Sequence, residues 1–171
     1  MDNPKADIRS VNERATTARA SERELVFTRT IHGPAPRVFD AWTRAETFQR
    51  WWVPKAAPIT LVSCELDVRV GGRYHLVFGL HDSDQQMAFF GRYLEVVPHE
   101  RVAWTNEEGD EAGAVTTVTF HETDGRTRVT VHDLYPSKEA LDEAIASGST
   151  EGMPEQLEQL NELITHAGDD A

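Results

Sequence analysis

The chain has 171 residues, with 17 Lys and Arg against 29 Asp and Glu, a formal charge of -12 and 39% hydrophobic residues, which suits one globular domain with a single core. Its single cysteine excludes an internal disulfide, and no Cys/His cluster has structural-zinc spacing. No apolar run approaches the ~20 residues that span a bilayer, and the acidic balance opposes nucleic acid and anionic lipid surfaces.

Residues 1–22 carry few apolar side chains, no periodic stripe and no apolar leader segment. They read as a disordered tail on a cytoplasmic protein, followed by one domain over residues 23–168. From Glu24 the text is strand-like, with Leu25, Phe27 and Ile31 alternating with Val26, Thr28 and Thr30 up to Gly33. Pro34 and Pro36 suit a helix start, and Val38, Phe39 and Trp42 follow at helical spacing. Phe48, Trp51 and Trp52 complete a second short helix before Pro54.

Between Ile59 and Leu134 about six strands alternate with turns. In the first of them Cys64, Leu66, Val68 and Val70 share the apolar parity, while Ser63, Glu65, Asp67 and Arg69 share the polar one, until Gly71-Gly72 turns the chain. Further strands are expected over 74–80, 87–97, 101–106, 114–121 and 126–135, the last two joined by the hairpin dipeptide Asp124-Gly125. Links this short make the neighbours antiparallel. Ser137 can cap a helix carrying Ala140, Leu141, Ala144 and Ile145 that ends near Gly148. A last helix should start between Thr150 and Gly152, with Pro154 in its first turn. Met153, Leu157, Leu160 and Ile164, with Leu163 beside them, mark the face it lays across the sheet.

This order of segments resembles the Aha1-like, polyketide-cyclase-related branch of the START-like (SRPBCC) superfamily. The pieces that carry the likeness are Thr28-Arg-Thr30, Val38 to Trp42, Arg50 to Pro54, Asp67 to Arg73, Gly91 to Glu95, Pro98 to Val102, Thr127 to His132, Ala146 to Gly148 and Glu151 to Met153. The likeness covers about residues 24 to 167, and departs at Gly148-Ser149, where relatives often carry Gly-Met. It implies an α+β helix-grip fold: a curved antiparallel sheet of about seven strands around a long C-terminal helix, with two short helices after the first strand. It also implies a hydrophobic cavity between sheet and helix, of the kind relatives use for lipids, polyketides and other apolar or aromatic molecules.

Aromatic residues suited to such a cavity are Trp52, Tyr74, Phe89, Tyr93 and Trp104, with Met153 and Leu157 on the last helix. Trp42 reads as core. Adjacent Trp51 and Trp52 point about 100° apart on a helix, so only one can face the core; the resemblance implies that Trp52 is the one towards the cavity mouth. Trp104 serves equally as core or as ligand platform. His132 sits on the parity opposite to Val129 and Val131. The resemblance allows it to point into the cavity as a ligand anchor or general base, and the competing role is structural.

Cys64, on the apolar parity, should be an inert buried thiol. Glu65, Asp67 and Arg69 read as a surface ladder, and His81-Asp-Ser-Asp84 as a turn and not a metal site. No phosphate loop, nucleophile elbow or zincin helix is present, so no cofactor or metal is expected. The favoured function is binding of a small apolar or aromatic molecule. The alternatives are a cyclase- or hydrolase-type enzyme with His132 as base, and an Hsp90-activator-like interaction role. A chaperone partner is the weakest reading, since the domain comes without the extra domain of the eukaryotic members, and homodimerisation is left open.

Overall fold

The computed structural model of the chain describes residues 14–107 and 113–169, so most of the expected tail lies outside the described residues. In chain order the elements are β1 (Thr16–Arg19), β2 (Glu24–Ile31), α1 (Ala35–Thr43), α2 (Ala45–Phe48), β3 (Ile59–Leu66), β4 (Arg73–Leu80), β5 (Gln86–Val97), β6 (Arg101–Thr105), β7 (Val115–Thr123), β8 (Arg126–Leu134), α3 (Lys138–Ala146) and α4 (Gly152–Asp169). The strands form one sheet in the order β1-β2-β8-β7-β6-β5-β4-β3, antiparallel throughout. This is the expected α+β helix-grip architecture, with an eighth strand added at the edge.

That strand corrects the reading of residues 16–19 as tail. Thr16 to Arg19 are exposed on both faces, which is why no apolar alternation marks them. They are held by pairing with Thr28 to Leu25 and by two side-chain links, the Ala15 amide donating to Glu158 Oε1 at 3.1 Å and Arg19 Nη2 lying 2.7 Å from Asp142 Oδ1.

Two bulges bend the sheet around α4. The β3–β4 register slips between Leu61 and Ser63, and the β5–β6 register between Tyr93 and Glu95. Each slip turns one apolar residue outward, Val62 and Leu94, while the strand curves locally. The first slip also accounts for Ile59 and Leu61 packing on the same core as Cys64 and Leu66 although their sequence parities differ. β3 ends at Leu66, so Val70, expected on the apolar face, is exposed.

Helix starts and stops follow local chemistry. Ser137 Oγ accepts from the Ala140 amide at 3.0 Å and caps α3, and Gly148 with φ +81° lets the chain leave it. Asp124 and Gly125 both have positive φ, as a type I′ hairpin turn demands. α4 buries Leu157, Leu160 and Ile164 against the concave face, each such burial stabilising by about 1.5–3 kcal/mol. A polar contact accompanies them. Arg29 lies on the inward parity of β2 with Leu25, Phe27 and Ile31, and its guanidinium grips both oxygens of Glu158 on α4 at 2.9 Å.

A cavity with one polar end

Inward-facing residues of the sheet, α1, the turn after α2, and α4 line a cavity of about 600 Å³ that is open to solvent on one side. This lies inside the size range usual for small-molecule sites, roughly 300–1,000 Å³. Strand alternation builds most of the wall: Leu76 and Phe78 from β4, Phe89 and Tyr93 from β5, and Trp104 from β6. The roof is aromatic too. Trp52 stacks on Phe48 with ring centroids 4.6 Å apart, and Trp42 stands 4.7 Å from Trp51 and 6.0 Å from Trp104.

Two buried glutamines of α4 hold this roof in place. Gln159 Nε2 donates to the Trp51 and Val53 carbonyls, both at 2.8 Å, and its Oε1 accepts from the Lys55 amide at 2.8 Å. Gln156 Nε2 donates to the Trp52 carbonyl. Without them, carbonyls of the partly buried, non-helical backbone at 51–53 would lose these partners. Sequence reasoning missed both residues, yet they stand three apart beside Leu157 and Leu160, on the face turned to the core.

Of the residues nominated from the sequence, the structure gathers Trp52, Tyr74, Phe89, Tyr93, Trp104 and Met153 around the cavity. Trp51 is the fully buried member of its pair, with Nε1 donating to the Ala41 carbonyl at 2.9 Å. Trp42 is core and cavity wall at once, and its buried indole Nε1 has no hydrogen-bond partner among the described residues.

Two nominated residues lie elsewhere. Leu157 is wholly buried in the core and does not line the cavity. His132 faces away from it, on the outer side of β8, with Nε2 2.6 Å from Glu24 Oε2 on β2, both side chains about one-third exposed. Its parity decides this, because Val129 and Val131 carry the inward direction. The histidine helps hold the carboxyl of Glu24 below the usual range.

The group on the inward parity of β8 is Asp133, which sequence reasoning passed over. The available signal was a carboxylate continuing the Val129, Val131 series. Asp133 sits opposite Thr116 of β7, whose Oγ1 donates to Asp133 Oδ1 at 2.6 Å. Asn106 Nδ2 donates to Thr116 Oγ1 at 3.1 Å and to the Ala114 carbonyl at 2.8 Å. Tyr74 reaches the same corner, its hydroxyl donating to the Thr105 carbonyl at 2.7 Å. It can do so because Gly91 lies beneath: a Cβ there would stand 2.1 Å from the Thr105 carbonyl oxygen and 2.9 Å from the Tyr74 ring.

The cavity thus has an aromatic body and one polar end, where burial raises the carboxyl of Asp133 above the usual range. Burial likewise raises the phenols of Tyr93 and Tyr135 and brings the Cys64 thiol up to about 11, which leaves that thiol protonated. Glu65, Asp67 and Arg69 stay on the surface, with Arg69 Nε 3.0 Å from Asp67 Oδ2. Among the described residues no group of three His, Cys, Asp or Glu could hold a metal ion, and no helix is long and apolar enough to cross a membrane.

The chain is similar in structure to a Nitrosomonas europaea protein, with TM-score 0.78 and 23% identity over 88% of this chain and 99% of that one. A Rhodobacter sphaeroides protein gives TM-score 0.80 and 18% identity over 90% and 99% of the two chains. An AHSA1-like protein from Aeromonas hydrophila gives 0.64 and 18% over 84% and 94%. These likenesses carry the fold alone, and no curated sequence matches. The family model described as "Activator of Hsp90 ATPase homolog 1-like protein" matches residues 32–165, and with that span and this fold the chain belongs to the Aha1-like family of START-like domains.

Proposed function

We propose that this protein binds a small, flat, mostly apolar or aromatic molecule in the cavity between the sheet and α4, without transforming it. One observation carries the reading: about 600 Å³ of space walled by Trp52, Tyr93, Trp104 and Phe89. A merely structural core of this size would fill such a space with side chains. An enzyme reading with His132 as base has no geometric support, since that imidazole lies on the opposite face of the sheet.

The family's description supplies a second reading, attachment to a chaperone, which would use the outer surface. Tryptophan fluorescence separates the two. Titration with polyketide-like and flavonoid-like compounds should quench the emission, and replacing Trp52 and Trp104 together by Phe should remove most of the quenching, leaving the part due to Trp42. No quenching by any flat apolar compound, from a folded protein, contradicts the cavity reading, and co-purification of a chaperone would favour the second.

A further inference from the structure

The cavity wall is uneven in charge. Among the described residues that line it, Asp133 is the one ionisable acid or base other than the tyrosines, and no Lys, Arg or His stands among them. The nearest basic side chain in sequence, His132, is on the other face and engaged by Glu24. One oxygen of Asp133 accepts from Thr116 Oγ1, which itself accepts from Asn106 Nδ2. That arrangement fixes the polarity of the chain of hydrogen bonds. Asn106 donates to Thr116 and Thr116 donates to Asp133, so Asp133 Oδ1 is held as an acceptor and its second oxygen remains for a ligand.

We infer that the cavity prefers ligands that pair an apolar or aromatic body with a protonated amine, the ammonium donating to Asp133 while the rings of Trp104 and Trp52 cover the body. This rests on the cavity reading and specifies its ligand class. The surroundings support it twice. A carboxylate in an apolar wall is costly unless a cation joins it, and burial already pushes its proton affinity up, so a ligand cation restores the charged form. The aromatic walls offer ring faces that attract an ammonium and repel a carboxylate. Fatty acids and other anionic amphiphiles meet no cation here, and the overall charge of -12 disfavours their approach.

The test uses three probes of one shape, 2-naphthylmethylamine, 2-naphthylmethanol and 2-naphthoate, titrated calorimetrically into the full chain at pH 8. The amine should bind about tenfold or more tightly than the alcohol, the margin typical of a charge-assisted hydrogen bond over a neutral one, and the naphthoate should bind weakest. Asp133→Asn should abolish the preference for the amine, and continued binding of the alcohol reports that the variant keeps its fold and cavity. Equal affinity for amine and alcohol, or an amine preference that survives in Asp133→Asn, overturns the inference and leaves the cavity reading standing. Binding of none of the three overturns the cavity reading, and this inference with it.

Discussion

The two faces of β8 carry titratable groups one residue apart, and they live in different physical worlds. Outward, His132 meets Glu24 across the β2–β8 pair, in reach of water, where such a contact is screened and contributes little. Inward, Asp133 sits among aromatic side chains with one hydroxyl donor, where every lost or gained partner is felt strongly. The difference teaches that in a half-buried strand the register, more than the chemical type of a side chain, decides which group can act on a ligand.

The largest expected break in this contrast comes from the inner side. Leu157→Ala removes a fully buried side chain between α4 and the sheet and should cost about 2–5 kcal/mol in denaturant unfolding. A cost below about 0.5 kcal/mol would mean that another face of α4 meets the sheet.

Asp133→Asn should change stability in a pH-dependent way, and in the stabilising direction. The groups around this carboxyl are Thr116 from β7, the Tyr135 phenol, and His132 beyond the strand. Burial raises its folded-state pKa above the unfolded value, which is near about 3.9. The folded state therefore binds the extra proton in the window between the two, and stability due to Asp133 falls as pH rises through the folded value. The asparagine variant escapes that loss. It should melt above wild type at pH 8, and the gain should vanish near pH 3. An unchanged or lower melting temperature at pH 8 would place the carboxylate in a better-compensated site than the one described.

On the outer face the smallest effect is expected. His132→Ala should leave the melting temperature almost where it was and leave ligand affinity unchanged. A marked loss of ligand binding would put the imidazole back in contact with the cavity.

Much of the frame around this contrast was legible in the sequence, and the gaps have physical causes. Alternation revealed β4, β5, β7 and β8, and the helical spacing of Leu157, Leu160 and Ile164 revealed the gripping face of α4. Adjacency of Trp51 and Trp52 was enough to expect one core and one cavity ring. Pattern reading failed where backbone bonds act without apolar side chains, as in Thr16 to Arg19, and where a bulge at Val62 resets parity. It also failed where polar residues face inward. Arg29, Asp133, Gln156 and Gln159 all lie on apolar parities or faces, and their partners come from distant segments that no local pattern brings together.

The most direct measurement is a nitrogen-15 NMR titration of the full chain with 2-naphthylmethanol, a neutral probe that needs only the cavity. The largest shifts are expected at the indole N–H groups of Trp42, Trp52 and Trp104 and at the amides of Asp133 and Met153, with His132 and outward-facing Phe90 unmoved. Shifts confined to the outer face, or none at millimolar probe with the protein folded, would contradict the cavity reading.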